Sequence, residues 1–254
     1  MRRSAALVAA LAVAGILSPA GVAHKGITSK YTYNSEVHPI FLNRCGRCHI
    51  EGGVAPMSLL KYEEAFPWAE ALRVELLSAD DADPHDFVRA EHRQISAREL
   101  DIIIEWASGG TPEGDKAQTP PLASLRNEWA AGAPDLVAKM PAPYQFRADL
   151  AEATHEATIP VAASTPITVG RIDVRPGTPS IVRSAVLSLR SPDGTTRLLG
   201  TWVPRQAPAP IALKPPVHMT PGSHIVARMQ YKKNWKHEGE PMTDLSLVGL
   251  YLAN

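Results

Sequence analysis

Two thiols and an imidazole stand together in the stretch Cys45-Gly46-Arg47-Cys48-His49. The pattern is C-x-x-C-H, the spacing that attaches a c-type haem. Each thiol can add to one vinyl group of the same porphyrin. The next residue, His49, is then held beneath the iron as its proximal ligand. The chain has 2 cysteines, so none is left for a disulfide framework. A thioredoxin-like dithiol usually follows a strand, whereas a helical pattern precedes this pair. A closed structural zinc site wants four ligands, and no second cysteine pair exists. The motif therefore reads as one haem c held by Cys45 and Cys48, with His49 on the iron.

The opposite face of the iron needs its own ligand. Between the second and third helical patterns, Ser78 to Ile95 contains no methionine but does contain His85 and His92. Ligation by His92, the first candidate, or His85, the second, would give a bis-histidine haem. Its potential would lie below that of a methionine-ligated one. Without either, an open site would let the iron meet small ligands. Met57 follows His49 by only eight residues, which places it on the proximal side as a packing residue. His38 reads as a surface or packing histidine, and His24 as a terminal one. A proline carbonyl in the loop after the motif is expected to accept the Nδ1–H of His49 and raise its basicity.

Helices must position these groups. Asn34-Ser35-Glu36 can cap a helix through Val37, Ile40 and Phe41 into Cys45. A second helix is expected to begin with Pro67, with Trp68, Ala69, Leu72 and Leu76 as its apolar stripe. Ser96-Ala97-Arg98-Glu99 is a capping box opening a third, with Ala97, Leu100, Ile104 and Ala107 on one face. Gly109, Gly110 and Pro112 end it. From about Thr158 the period changes. Ile167 to Val174, Ile181 to Arg190, Arg197 to Trp202, His224 to Tyr231 and Leu245 to Leu252 read as strands, and Ser191-Pro192-Asp193-Gly194 as a turn.

The expected organisation is multidomain, α then β. Residues 1–23 read as a signal peptide: Arg2 and Arg3, an apolar run from Ala5 to Leu17, then Gly21-Val22-Ala23. A small helical cytochrome c-type domain occupies 30–115 and a Pro/Ala-rich linker occupies 116–150. An antiparallel, jelly-roll-like β-sandwich occupies 151–254. The 26 basic and 26 acidic residues give no global field that argues for nucleic acid or a membrane surface. No later stretch is apolar for long enough to span a bilayer. The expected location is periplasmic or extracellular, and the expected partner is a redox protein.

Several stretches carry a family resemblance. They are Cys45 to His49, Gly52-Gly53-Val54-Ala55-Pro56-Met57-Ser58-Leu59, Pro67-Trp68-Ala69, and Trp106-Ala107-Ser108-Gly109-Gly110-Thr111-Pro112-Glu113-Gly114-Asp115. Together they resemble exported bacterial proteins that fuse a cytochrome c domain to a domain similar to the copper type II, ascorbate-dependent monooxygenases. Glu128-Trp129, Gly132 to Val137 and Met140-Pro141 resemble the start of the second domain. The resemblance implies a methionine sixth ligand from Met-Pro-Pro-Trp, but Ser78 to His85 lacks that motif. It also implies a His-His pair on the strand matching Val182 to Val186 and a His-Tyr-His triplet on the strand matching Met229 to Lys232. This chain has Arg183-Ser184 and Gln230-Tyr231-Lys232 there. Copper favours imidazole, and two cations now stand in place of its ligands. Met242 lies near the place of a methionine ligand, while His218, His224 and His237 read as surface or turn residues.

The sandwich is therefore expected to be non-catalytic and to act as a docking surface. Lys232, Lys233, Lys236 and Arg228 are its candidate basic patch. The leading expectation is an electron-transfer protein. Its alternatives are a haem enzyme or gas sensor with an open iron site and, behind that, a copper monooxygenase.

Overall fold

The computed structural model describes residues 28–78, 95–121, 129–205 and 208–253. The expected signal peptide, His24, and both candidate distal ligands, His85 and His92, lie outside these residues.

Helices come first along the chain. A π-helical turn, Tyr33–Val37, runs directly into α1, His38–Arg44. Its start is fixed by Glu36, whose carboxylate accepts the Thr32 N–H at 2.7 Å. Asn34 is not the cap. Its amide instead donates to the Gly114 carbonyl and accepts from Thr119. The helical run thus begins ahead of the expected cap and is clamped by the segment after the last helix. The second helix also starts before Pro67. α2, Tyr62–Ala65, passes through a 3-10 turn, Phe66–Trp68, into α3, Ala69–Ser78.

The capping box of α4, Ala97–Ser108, is present as expected: the Ser96 hydroxyl accepts the Glu99 N–H, and the Glu99 carboxylate accepts the Ser96 N–H. Its buried face differs from the expected one. Ile103 and Trp106 are fully buried, whereas Ala97 is exposed. The reason is an aromatic cluster. Trp106 meets Phe41 edge-on at 6.2 Å and Tyr33 at 6.1 Å. The indole N–H donates to the Pro112 carbonyl and the Tyr33 hydroxyl to the Leu59 carbonyl, so these large rings are buried with their polar atoms satisfied.

The rest is antiparallel β. Two four-stranded sheets, ordered β1-β10-β4-β7 and β3-β8-β5-β6, supply one shared core, and a ribbon of β2 and β9 stands beside them. The first sheet contains β1, Leu136–Lys139; β4, Ile167–Arg175; β7, Ile211–Met219; and β10, Leu247–Leu252. The second contains β3, Glu152–Pro160; β5, Val182–Arg190; β6, Thr196–Trp202; and β8, His224–Lys232. The ribbon pairs β2, Tyr144–Phe146, with β9, Met242–Asp244. Val169 and Ile172 from one sheet and Ala185, Leu187 and Ile225 from the other form part of the dry interior. Alternation of buried and exposed residues, plain in the second halves of β3 and β8, is what one wet face and one dry face require. The expected turn after β5 is present: Gly194 has φ +87° and its N–H donates to the Ser191 carbonyl.

Ion-pair geometry corrects the expected basic patch. Lys233 is buried, with its ammonium donating to the Arg147 and Ala148 carbonyls above the Phe146 ring. Lys232 is paired with Glu152 at 2.6 Å. The four cations therefore do not present one free positive face.

Candidate functional site

Cys45 closes α1, its N–H donating to the Phe41 carbonyl. The chain then turns at once: the Cys48 and His49 N–H groups both donate to the Cys45 carbonyl, at 3.1 and 2.9 Å. One carbonyl thus gathers both thiols and the imidazole onto a single turn. Neither cysteine is in a disulfide, and both are partly buried. The Cys45 thiol is pushed up to about 12 by burial and, secondarily, by Cys48. A thiol held protonated is a poor exchange nucleophile, so the redox-dithiol reading loses ground.

The loop after the motif folds back over this turn. Gly53 donates to the Ile50 carbonyl, Ala55 to the Cys48 carbonyl, and Leu59 to the His49 carbonyl. The His49 Nδ1 faces the Met57 carbonyl at 3.3 Å. The expected carbonyl beside Nδ1 is therefore present but belongs to Met57, not to a proline. In the tautomer whose Nδ1 donates to this carbonyl, Nε2 is left as the ring's other nitrogen. The fold-back requires glycine at 53: a Cβ there would stand 2.5 Å from the Cys48 carbonyl oxygen.

Helix α4 braces the motif from the other side. The Arg44 guanidinium forms a forked pair with Glu99 at 3.1 and 3.3 Å, tying the residue before Cys45 to the capping box. Cys45, Ile50, Leu72, Leu76, Ile102 and Ala107 are partly buried against the helical core. Val74 and Leu77 stay more than half exposed. These residues fit a haem: two thiols outside any disulfide, and an imidazole whose Nδ1 faces a backbone carbonyl.

His38 is fully buried, with neither ring nitrogen hydrogen-bonded. Burial holds its pKa below the ordinary value against a weak opposing pull from the Leu60 backbone. Its ring meets Tyr33 edge-on at 5.5 Å. It is a neutral core residue.

In the β half, the register brings together the two stretches compared with copper ligands. Ser184 on β5 stands opposite Gln230 on β8 and bonds to its side chain at 2.8 Å. Arg183 falls at a bulge between Val182 and Ser184, the irregularity that re-aims a side chain. Its guanidinium donates to the Ser180 carbonyl. Burial pulls its pKa below the ordinary value, with Cys48 acting in the opposite direction. The bulge at Arg183 is a feature that strand periodicity could not announce. Met242 packs partly buried against the core on β9, while His218 is exposed on β7. His224 begins β8, and His237 pairs with Glu240 at 3.4 Å. Among the described residues, no group of three or more His, Cys, Asp or Glu could hold a metal ion. No helix among them is long and apolar enough to cross a membrane.

No protein-family model matches the chain, and no curated protein matches it.

Proposed function

We propose that this protein is an exported c-type cytochrome for one-electron transfer. Its antiparallel sandwich, similar to a copper monooxygenase domain, serves as scaffold and docking unit and not as a copper enzyme. The observation that carries the reading is the single turn on which the Cys45 carbonyl gathers Cys48 and His49, with the Met57 carbonyl orienting the imidazole. Cys45 and Cys48 would hold the haem as thioethers, and His49 would hold its iron through Nε2. When bound, the haem supplies a one-electron couple; the polypeptide sets its potential and exposure. With Nδ1 donating, the Met57 carbonyl would raise the basicity of His49, and a haem held there would be biased toward its ferric form. The Arg44–Glu99 fork keeps the motif-bearing helix end in place. In the sandwich, the Ser184–Gln230 pair beside Arg183 and Lys232 offers amide, hydroxyl and cations where a copper ion would need imidazoles.

The test is expression in a host that matures c-type cytochromes, followed by a pyridine haemochrome spectrum of wild type, Cys45→Ala and Cys48→Ala. Wild type should give the spectrum of two saturated vinyl groups. Each single variant should shift toward one remaining vinyl. Identical colourless products would overturn the reading. Spectra of His92→Ala and His85→Ala then assign the sixth position: the ligand's loss should turn a low-spin ferric spectrum high-spin.

A further inference from the structure

The Met57 carbonyl stays beside His49 only while its loop is held. The loop returns to the motif at two points: the Ala55 N–H donates to the Cys48 carbonyl at 3.0 Å, and the Leu59 N–H donates to the His49 carbonyl at 2.9 Å. Met57 lies midway between them. The first point rests on the cysteine turn itself. The second is held from the helical core, because the Leu59 carbonyl accepts the Tyr33 hydroxyl at 2.8 Å. Tyr33 is 1% exposed and Leu59 0%, so bulk water does not compete for that carbonyl.

Tyr33 is itself fixed in place. Its N–H donates to the Pro112 carbonyl at 2.8 Å, and the rings of His38, Phe41, Tyr62 and Trp106 stand 5.5 to 6.4 Å from its own. Burial, and secondarily Glu63 and Glu64, push its phenol pKa up, which keeps the hydroxyl a donor. A buried carbonyl stripped of its donor bears the desolvation cost of that group, and a loop relieves such a cost by shifting. The distance from His49 Nδ1 to the Met57 carbonyl, 3.3 Å, is already long for a hydrogen bond, so a small shift of the loop weakens it.

We propose that Tyr33 is a positioning residue for His49: its hydroxyl holds the Leu59 carbonyl, Leu59 holds the His49 backbone, and the loop between them keeps the Met57 carbonyl against Nδ1. The effect on iron rests on the haem reading of the motif. On that reading, the aromatic core of the helical part tunes the potential through one phenol. Losing the hydroxyl weakens the bond at Nδ1, lowers the basicity of His49 and raises the midpoint potential. A neighbour supplies the control. The Tyr62 hydroxyl donates to the Thr111 carbonyl, also at 2.8 Å, and its ring lies against that of Tyr33. The bond is of the same kind and comes from the same cluster, but its acceptor lies after α4 and outside the loop.

The experiment compares wild type, Tyr33→Phe and Tyr62→Phe as full-length holoproteins, by redox titration and by amide hydrogen exchange. At a fixed applied potential, Tyr33→Phe should raise the ferrous-to-ferric ratio by about threefold or more, and it should speed exchange of the Leu59 amide by about tenfold. Tyr62→Phe should leave both close to wild type. An unchanged potential in Tyr33→Phe, or an equal shift in Tyr62→Phe, would overturn the proposal. Wild type alone gives a further check that needs no variant to fold: the Leu59 amide should exchange no faster than that of Ile103 in the buried helical core, and faster exchange would overturn the proposal as well. Haem content is read separately by pyridine haemochrome. A colourless wild type would overturn the haem reading, while the Leu59 exchange rates would still decide whether Tyr33 holds the loop.

Discussion

Replacing Gly53 by alanine should strain the cysteine turn far more than the same change one residue earlier. A Cβ at Gly53 would stand 2.5 Å from the Cys48 carbonyl oxygen and 2.9 Å from that of Ile50. Neither obstacle is a flexible side chain. Ordinary contact begins near 3.4 Å, so the Cys48 carbonyl must retreat by roughly 0.9 Å or the loop must open, the kind of overpacking that costs about 1–3 kcal/mol. The same carbonyl accepts the Ala55 N–H at 3.0 Å, and losing that bond adds about 1 kcal/mol. The sum is a destabilisation of about 2–4 kcal/mol. Gly52 has φ +73° and nothing within 4 Å of its would-be Cβ, so Gly52→Ala costs only the left-handed strain of about 1–2 kcal/mol. Urea unfolding followed by circular dichroism compares the two. In the haem-loaded protein, Gly53→Ala should also raise the midpoint potential, because a displaced turn weakens the bond from His49 Nδ1 to Met57. Equal stability of the two variants, with unchanged potentials, would refute the reasoning.

Three further outcomes are expected. Trp106→Ala removes a fully buried ring from the aromatic cluster and should cost about 3–5 kcal/mol, measured by urea titration. Tyr231→Phe takes one donor from buried Asp244, which keeps Thr178 N–H and Ser246 hydroxyl; a loss of about 1–3 kcal/mol is expected. For Glu99, burial alone would raise the pKa, but bonds from Ser96 and Arg44 outweigh it and hold the carboxyl below its ordinary value. A depressed folded-state pKa contributes stability above the unfolded value, about 4.3, that is lost as pH falls through the folded value. The melting temperatures of wild type and Glu99→Gln should therefore converge as pH drops below about 4; parallel curves would contradict this.

Much of this fold was legible where local chemistry decides. The capping box at Ser96, the turn at Gly194 and the apolar runs of β4, β5 and β8 each rest on a few adjacent residues. Other elements were hidden because the deciding partners are distant. The buried face of α4 turns toward Trp106, since Tyr33 and Phe41 wait there, although Ala97, Leu100 and Ile104 also fit a helical period. Strand β3 carries polar residues at most outward positions, and its inward ones, Ala153, His155, Ala157 and Ile159, include two alanines and a histidine. Strand β7 contains Pro215 and Pro216, which argue against a central strand. It survives as the edge of its sheet, where missing N–H groups are tolerated. At the candidate site, the C-x-x-C-H spacing is self-evident in sequence. The Met57 acceptor, the need for glycine at 53 and the bulge at Arg183 are not, because each depends on where a backbone atom lies in space.

Covalent attachment is the claim on which the rest stands, and the mass of the intact protein tests it most directly. After expression in a cytochrome-maturing host and acid–acetone extraction, the polypeptide should be heavier than its own sequence by one haem, and Cys45→Ala/Cys48→Ala should not. A wild-type chain at its bare polypeptide mass, with no colour retained, would contradict it.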